Sequence, residues 1–200
     1  MSRAAMLSLA FVLGSGLCLQ GQDLWDSSFK LVGGTMSGAE TAGLGQDKHY
    51  GLSLEGAYPF ARNHFLVLEG GYRAFPCART YVDAQTATED SMDGFFGAIA
   101  YRYRFSAGRL DGLYLQGGVR HSMFLAERDT VHKGASASGG DLRVGTKGSR
   151  IASTRPVFGV GFRFTESLSL ELDLAGIQAE NALGQSKSGS VLELALGIHL

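Results

Sequence analysis

Residues 93–128 read DGFFGAIAYRYRFSAGRLDGLYLQGGVRHSMFLAER. Successive side chains of an extended strand point to opposite faces, so parity sorts them. In the first run Phe95, Gly97, Ile99, Tyr101, Tyr103 and Phe105 share one parity; Phe96, Ala98, Ala100, Arg102 and Arg104 share the other. The second run divides the same way, with Leu113, Leu115, Val119, Met123 and Leu125 against Gln116, Arg120, Ser122 and Arg128. Two alternating strands around a short turn containing Gly and Asp predict a β-hairpin. One of its faces is apolar and the other carries arginines. Which face meets water decides the fold.

The alternation recurs on both sides of this hairpin. Upstream, strands are predicted at Trp25–Thr35, His49–Tyr58 and His64–Phe75. Downstream they are predicted at Pro156–Phe164, Leu168–Ile177 and Ser190–Leu200. The connections alternate as well. Met36–Lys48, Pro76–Met92, Asp129–Ser153 and the segment up to Gly189 read as long polar loops, whereas Pro59–Asn63, Ser106–Gly112 and Thr165–Ser167 are short turns. The 29 glycines and only 3 prolines of the 200 residues suit Gly-punctuated strands rather than helices. Eight strands of about ten residues, with short turns on one side and long loops on the other, match a bacterial transmembrane barrel.

Residues 1–21 have a basic start at Arg3, an apolar centre from Ala4 to Leu19 and small or polar residues near Gly21. That is the layout of a secretory signal peptide, leaving residues 22–200 as one barrel domain. Leu17 before Cys18 counts against a lipoprotein site. Removing Arg3 leaves 17 basic against 19 acidic residues, a charge of −2, with no basic bias for nucleic acid. Cys77 is then the only cysteine, which excludes an intramolecular disulfide.

A soluble barrel of the lipocalin kind would turn its apolar face inward. A membrane barrel reverses this and puts polar residues in the lumen. The apolar rows run nearly unbroken for five positions in most strands, enough to cross an apolar band of about 25 Å. Aromatics gather beside the short turns (Tyr58, Phe60, Tyr101, Tyr103, Phe105, Phe162, Phe164), as an interfacial girdle requires. The reading is therefore an all-β, eight-stranded antiparallel up-and-down transmembrane barrel. Its interior is just wide enough for side chains to fill. The charges of lumen parity, Glu55, Glu69, Arg102, Arg104, Arg120, Arg163, Glu171, Asp173 and Glu193, are expected to pair there and plug it. Closure is expected through pairing of the last strand with Phe29–Thr35, since unpaired backbone is not tolerated in lipid.

With these features the chain resembles the small eight-stranded outer-membrane barrels of the outer-membrane protein A, X and W type, over about residues 24–200. The C-terminal strand, alternating from Leu192 to Leu200, comes nearest to a family signature, although it ends in Leu where the family usually has Phe. The resemblance implies an outer-membrane location, contact with outer-membrane lipid and lipopolysaccharide, handling by the barrel-assembly machinery, and a monomer. Implied roles are envelope integrity, surface interaction or passage of small hydrophobic solutes. The alternatives are a barrel enzyme modifying lipid A and an exported lipocalin-like binder.

Chemistry is sparse. Lipid A deacylases of this fold space their His and Ser one residue apart; here His121 and Ser122 are adjacent and face opposite sides of the wall. The five histidines are dispersed, without the spacing of metal ligands, and no GxG run follows a strand-to-helix pattern. No enzyme activity, metal or cofactor is expected. The basic residues Lys133, Arg143, Lys147 and Arg150 of the longest loop are candidates for contacting lipopolysaccharide phosphates, the alternative being a solvated loop.

Overall fold

The computed structural model describes residues 25–37, 48–106, 108–136, 138–180 and 186–200. The signal segment 1–21 and Cys18 lie outside the described residues. The eight strands are β1 (Asp26–Ser37), β2 (Lys48–Ala61), β3 (His64–Tyr81), β4 (Thr86–Arg104), β5 (Leu113–His132), β6 (Leu142–Thr165), β7 (Leu168–Glu180) and β8 (Ser186–His199). Each pairs antiparallel with the next, and β8 closes on β1 from Ser28↔His199 to Ser37↔Ser190, making a closed barrel. Below Val157, above which β6 and β7 are no longer laddered, no edge strand is left in the closed wall, so its backbone groups need no water.

Two connections differ from expectation. Residues read as the loops Pro76–Met92 and Asp129–Ser153 are largely strand: β3 continues to Tyr81, β4 begins at Thr86, β5 runs to His132 and β6 begins at Leu142. The strands are also longer than ten residues, from 12 in β1 to 24 in β6. The ladder persists because backbone pairing does not require an apolar face. The lower alternation is written by lipid on one side; above the lipid both faces can be polar, so period-2 hydrophobicity fades while the hydrogen bonds continue. At the tip of β3–β4, Asp83 Oδ1 accepts the N–H groups of Gln85 and Thr86, each at 2.7 Å. These bonds hold the Asp83 carboxyl below its ordinary range.

The wall presents its apolar parity outward. Leu52, Leu66, Ile99, Val119, Phe158, Leu172 and Leu194 are all exposed, while Lys30, Glu55, Arg102 and Glu171 are buried inside. A soluble barrel has the opposite arrangement, so the outer belt is a lipid-facing surface. Aromatic pairs ring the short-turn end, among them Trp25–Tyr58, Phe60–Tyr101, Tyr103–Phe105 and Phe162–Phe164.

Candidate functional site: the layered lumen

Inward-pointing residues of the eight strands stack in layers from the short-turn mouth to the long-hairpin end. At the mouth, Asp26 of β1 gathers two arginines and a histidine. Its Oδ2 accepts Arg104 Nη2 at 3.0 Å and Arg163 Nη1 at 2.5 Å, and its Oδ1 lies 2.9 Å from His199 Nδ1. His199 Nε2 in turn lies 2.9 Å from Ser169 Oγ. Arg104 and Arg163 therefore sit at the rim of the lumen, beside an open recess of about 820 Å³ lined by Gly112, Thr165, Glu166 and Leu200.

The Asp26–His199–Ser169 chain has the connectivity of a hydrolytic triad. Ser169, however, is 2 % exposed, with Gly197 directly opposite it across the ladder. A substrate carbonyl has no approach to that hydroxyl. The cluster instead ties β1, β4, β6, β7 and β8 together where the barrel closes.

The next layer is densely hydrogen-bonded. Arg102 grips Glu55 with both Nη atoms, at 2.7 and 2.6 Å, and donates to Glu171 Oε2 at 3.2 Å and Gln116 Oε1 at 2.7 Å. Lys30 Nζ stands between the same two carboxylates, 2.5 Å from Glu55 and 2.7 Å from Glu171. Tyr114 and Gln116 donate the remaining bonds to Glu171, both at 2.8 Å. Gly161 is required here, since a Cβ on it would lie 2.2 Å from the Tyr114 ring.

One layer up, Glu193 collects Arg120 Nη1 at 2.6 Å, Arg73 Nε at 2.8 Å and His49 Nε2 at 3.0 Å. Arg120 also lies 3.6 Å from Asp173 and 3.9 Å from Glu69. The Arg73 and Arg120 guanidiniums both stack on Phe96, 4.3 and 4.6 Å from its centroid. These two layers hold four cations (Lys30, Arg73, Arg102, Arg120) against five carboxylates (Glu55, Glu69, Glu171, Asp173, Glu193), a composition that survives burial only because nearly every charge has a partner.

Above the charges the lumen turns apolar. Met36, Phe75, Met92, Phe124, Ala126, Ile151, Ile177 and Val191 form one buried cluster. A cavity of about 20 Å³, lined by Arg73, Arg120, Phe75, Phe124 and Ile177, lies between the charged and apolar layers. Over the cluster, Arg128 Nε and Nη2 hold Asp90 at 2.6 and 2.7 Å.

The sequence reading named neither Lys30, Arg73, His49 and Asp26 nor the apolar layer as part of the interior. Lys30 and Arg73 had shown the right parity. Phe75, Met92 and Phe124 had it too, but their apolarity carries no such signal when lipid lies on the other side of the wall.

The remaining candidates are scattered. His121 is exposed on the outer face, its Nδ1 2.8 Å from Thr154 Oγ1, while Ser122 is buried in the lumen. No metal-ligating cluster exists among the described residues. The basic stretch is a hairpin rather than a loop. Lys133 follows β5 and stacks on Tyr81 at 4.4 Å, Arg143 lies on β6 and meets Glu89 at 3.2 Å, and Arg150 is exposed further along β6. Lys147 also lies on β6, paired through its backbone with Arg128.

No family model matches the chain, and no curated protein sequence matches it. Among solved structures it is similar to Ail, the attachment invasion locus protein of Yersinia pestis, in complex with the heparin analogue sucrose octasulfate. The TM-score is 0.51 at 11 % identity, over 88 % of this chain and 97 % of that one. A second structure of Ail gives the same TM-score at 9 % identity, with the same coverage of both chains. Neisserial surface protein A matches at a TM-score of 0.46 and 12 % identity, over 88 % and 96 % of the two chains. The likeness is one of fold, that of the small eight-stranded outer-membrane barrels.

Proposed function

We propose that the chain is a non-enzymatic bacterial outer-membrane barrel, closed to bulk solutes, which works through the sheet that its long hairpins raise outside the cell. The observation that carries this reading is the inequality of the strands. β3, β4, β5 and β6 run 18 to 24 residues, against 12 to 14 for β1, β2, β7 and β8. A lipid band of about 25 Å needs only 9–11 tilted residues. The excess in four adjacent strands has no use in lipid and forms a surface beyond it.

That surface mixes exposed apolar residues with cations. Tyr81 and Val82 stand at the β3–β4 tip and Leu142 and Val144 on β6, close in sequence or space to Lys133, Arg143 and Arg150. Aromatic and cationic side chains together suit anionic glycan or lipopolysaccharide phosphate. Ail, of similar fold, was solved with a sulfated saccharide, which supports an anionic partner. Mature polar loops on the opposite side are absent among the described residues, where the turns are short. This supports placing the short turns in the periplasm and the barrel in the outer membrane.

Lys133, Arg143, Lys147 and Arg150 changed together to Gln test the reading. Binding of reconstituted protein to lipopolysaccharide is expected to fall and to lose much of its salt dependence. Unchanged binding would remove the basic hairpin as the contact.

A further inference from the structure

The wall is not laddered evenly. β6 pairs with β5 from Leu142 to Phe162, but among the described residues it pairs with β7 only from Val157 to Thr165. Pro156 stands where the β7 ladder stops, and it has no N–H to give. Above it β6 leaves with the projecting sheet while β7 continues on β8 to Glu180. A seam opens between them.

A strand rising about 3.3 Å per residue and tilted by about 40° climbs about 2.5 Å per residue. Arg155 lies nine positions above Phe164, or about 22 Å up a band of about 25 Å. The seam is therefore in the leaflet on the long-hairpin side, near its headgroups.

One side chain spans it. A Cβ on Gly176 would fall 3.0, 3.4 and 3.5 Å from Cβ, Cγ and Cδ of Arg155, so the arginine stem occupies the place of a Gly176 side chain. Arg155 has the lumen parity of Ser153 and Val157 on β6, but Gly176 shares parity with the exposed Leu172 and Leu174, so the stem crosses the seam to the outer side of β7. Arg155 Nη2 then reaches Gln178 Oε1 at 3.3 Å and Ser188 Oγ at 3.2 Å. These side-chain bonds stand in for the missing backbone ladder.

The guanidinium is underused. Its Nε is buried without a hydrogen-bond partner. Arg73, Arg102, Arg104, Arg120 and Arg163 each meet a carboxylate, and Arg155 meets none among the described residues. A cation at this depth is costly unless an anion joins it, and a planar guanidinium matches a phosphate. Directly below the seam, the cross-strand pair Phe158 and Leu174 offers an exposed apolar track.

We propose that the β6–β7 seam binds a phosphorylated lipid of that leaflet, its phosphate on Arg155 and Ser188 and its acyl chain along Leu174 and Phe158. The site rests on the reading of the chain as an outer-membrane barrel, and it is separate from the basic hairpin. Nothing at the seam is built for a soluble anion, because half of the track is hydrocarbon.

The test uses full-length wild type, Arg155→Gln and, as a control, Arg62→Gln at the exposed short β2–β3 turn, folded in micelles doped with phosphatidylglycerol, with lipid retention read by native mass spectrometry. Wild type and Arg62→Gln are expected to keep one phosphatidylglycerol, and Arg155→Gln to hold it about tenfold more weakly, the worth of one charge-assisted hydrogen bond. Equal retention by wild type and Arg155→Gln overturns the site. So does displacement of the lipid by excess inorganic phosphate, which would mark a plain anion site. Gly176→Ala, whose Cβ displaces the arginine stem, reads the same site should Arg155→Gln not fold. Heat-modifiable gel mobility in the same samples separates the two levels. A wild type without it, found in the soluble fraction, refutes barrel and site together; a folded barrel with unchanged retention refutes the site alone.

Discussion

Arg102 is 1 % exposed and holds Glu55 and Glu171 simultaneously, with Lys30 as the only other cation between them among the described residues. Its removal leaves two buried carboxylates sharing one ammonium. Breaking a buried ion pair from one side costs about 3–5 kcal/mol, because the remaining charge is desolvated without a partner. Arg102→Ala is therefore expected to lose about that much stability in urea unfolding followed by gel mobility in vesicles. Arg102→Met with Glu55→Gln should recover much of it, because the layer then holds Lys30 and Glu171 as a single pair. A loss below about 1 kcal/mol for Arg102→Ala, the range of exposed pairs, would mean that water reaches the layer. Parity in the sequence places Arg102, Glu55 and Glu171 on one face. It does not say that Lys30, with the same parity in β1, stands between them, because the meeting of β1, β2, β4 and β7 depends on closure.

The strands divide into two populations, and the sequence records them unequally. Within the belt, Leu168, Leu170, Leu172 and Leu174 alternate with Ser169, Glu171 and Asp173, because lipid and lumen demand opposite chemistry. In the upper part of β5, Asp129, Thr130, Val131 and His132 show no such alternation, yet they pair with β4 and β6 without a break in the β4 ladder. What was legible was the solvent on each face, not the hydrogen bonding. The layered interior was half legible for the same reason: charges of lumen parity stand out, whereas Met92 and Phe124 do not. The upper β5–β6 hairpin is therefore expected to be dispensable for the barrel. Joining Glu127 directly to Gly148, which are paired across β5 and β6, through a two-residue Asn-Gly turn removes the tip without touching the belt. The shortened protein is expected to keep heat-modifiable mobility and membrane partition, and to lose lipopolysaccharide binding. Loss of folding would show that the projecting sheet belongs to the barrel's own core.

At the scale of the whole molecule, the proposed closure to solutes comes from two barriers of different kind placed in series. The charged layers around Arg102 and Arg120 would resist a permeating ion because nearly every fixed charge is already matched by its neighbours. The apolar layer around Met92 and Phe124 would resist water because an apolar constriction offers it no hydrogen bonds. Barriers in series imply that opening one leaves the other in control. In planar bilayers the wild type is expected to show no stable large conductance, and Phe75→Ala with Phe124→Ala should remain silent, since the truncated cap still leads to the Glu193 cluster with Arg73 and Arg120. Adding Arg120→Gly and Glu193→Gly to that pair still leaves the Arg102–Glu55 layer across the lumen, so discrete openings are expected only once Arg102→Gly and Glu55→Gly are added as well. Large conductance from the wild type would refute the closed lumen. Openings from the two phenylalanine changes alone would place the whole barrier in the apolar layer and leave the charged layers a purely structural task.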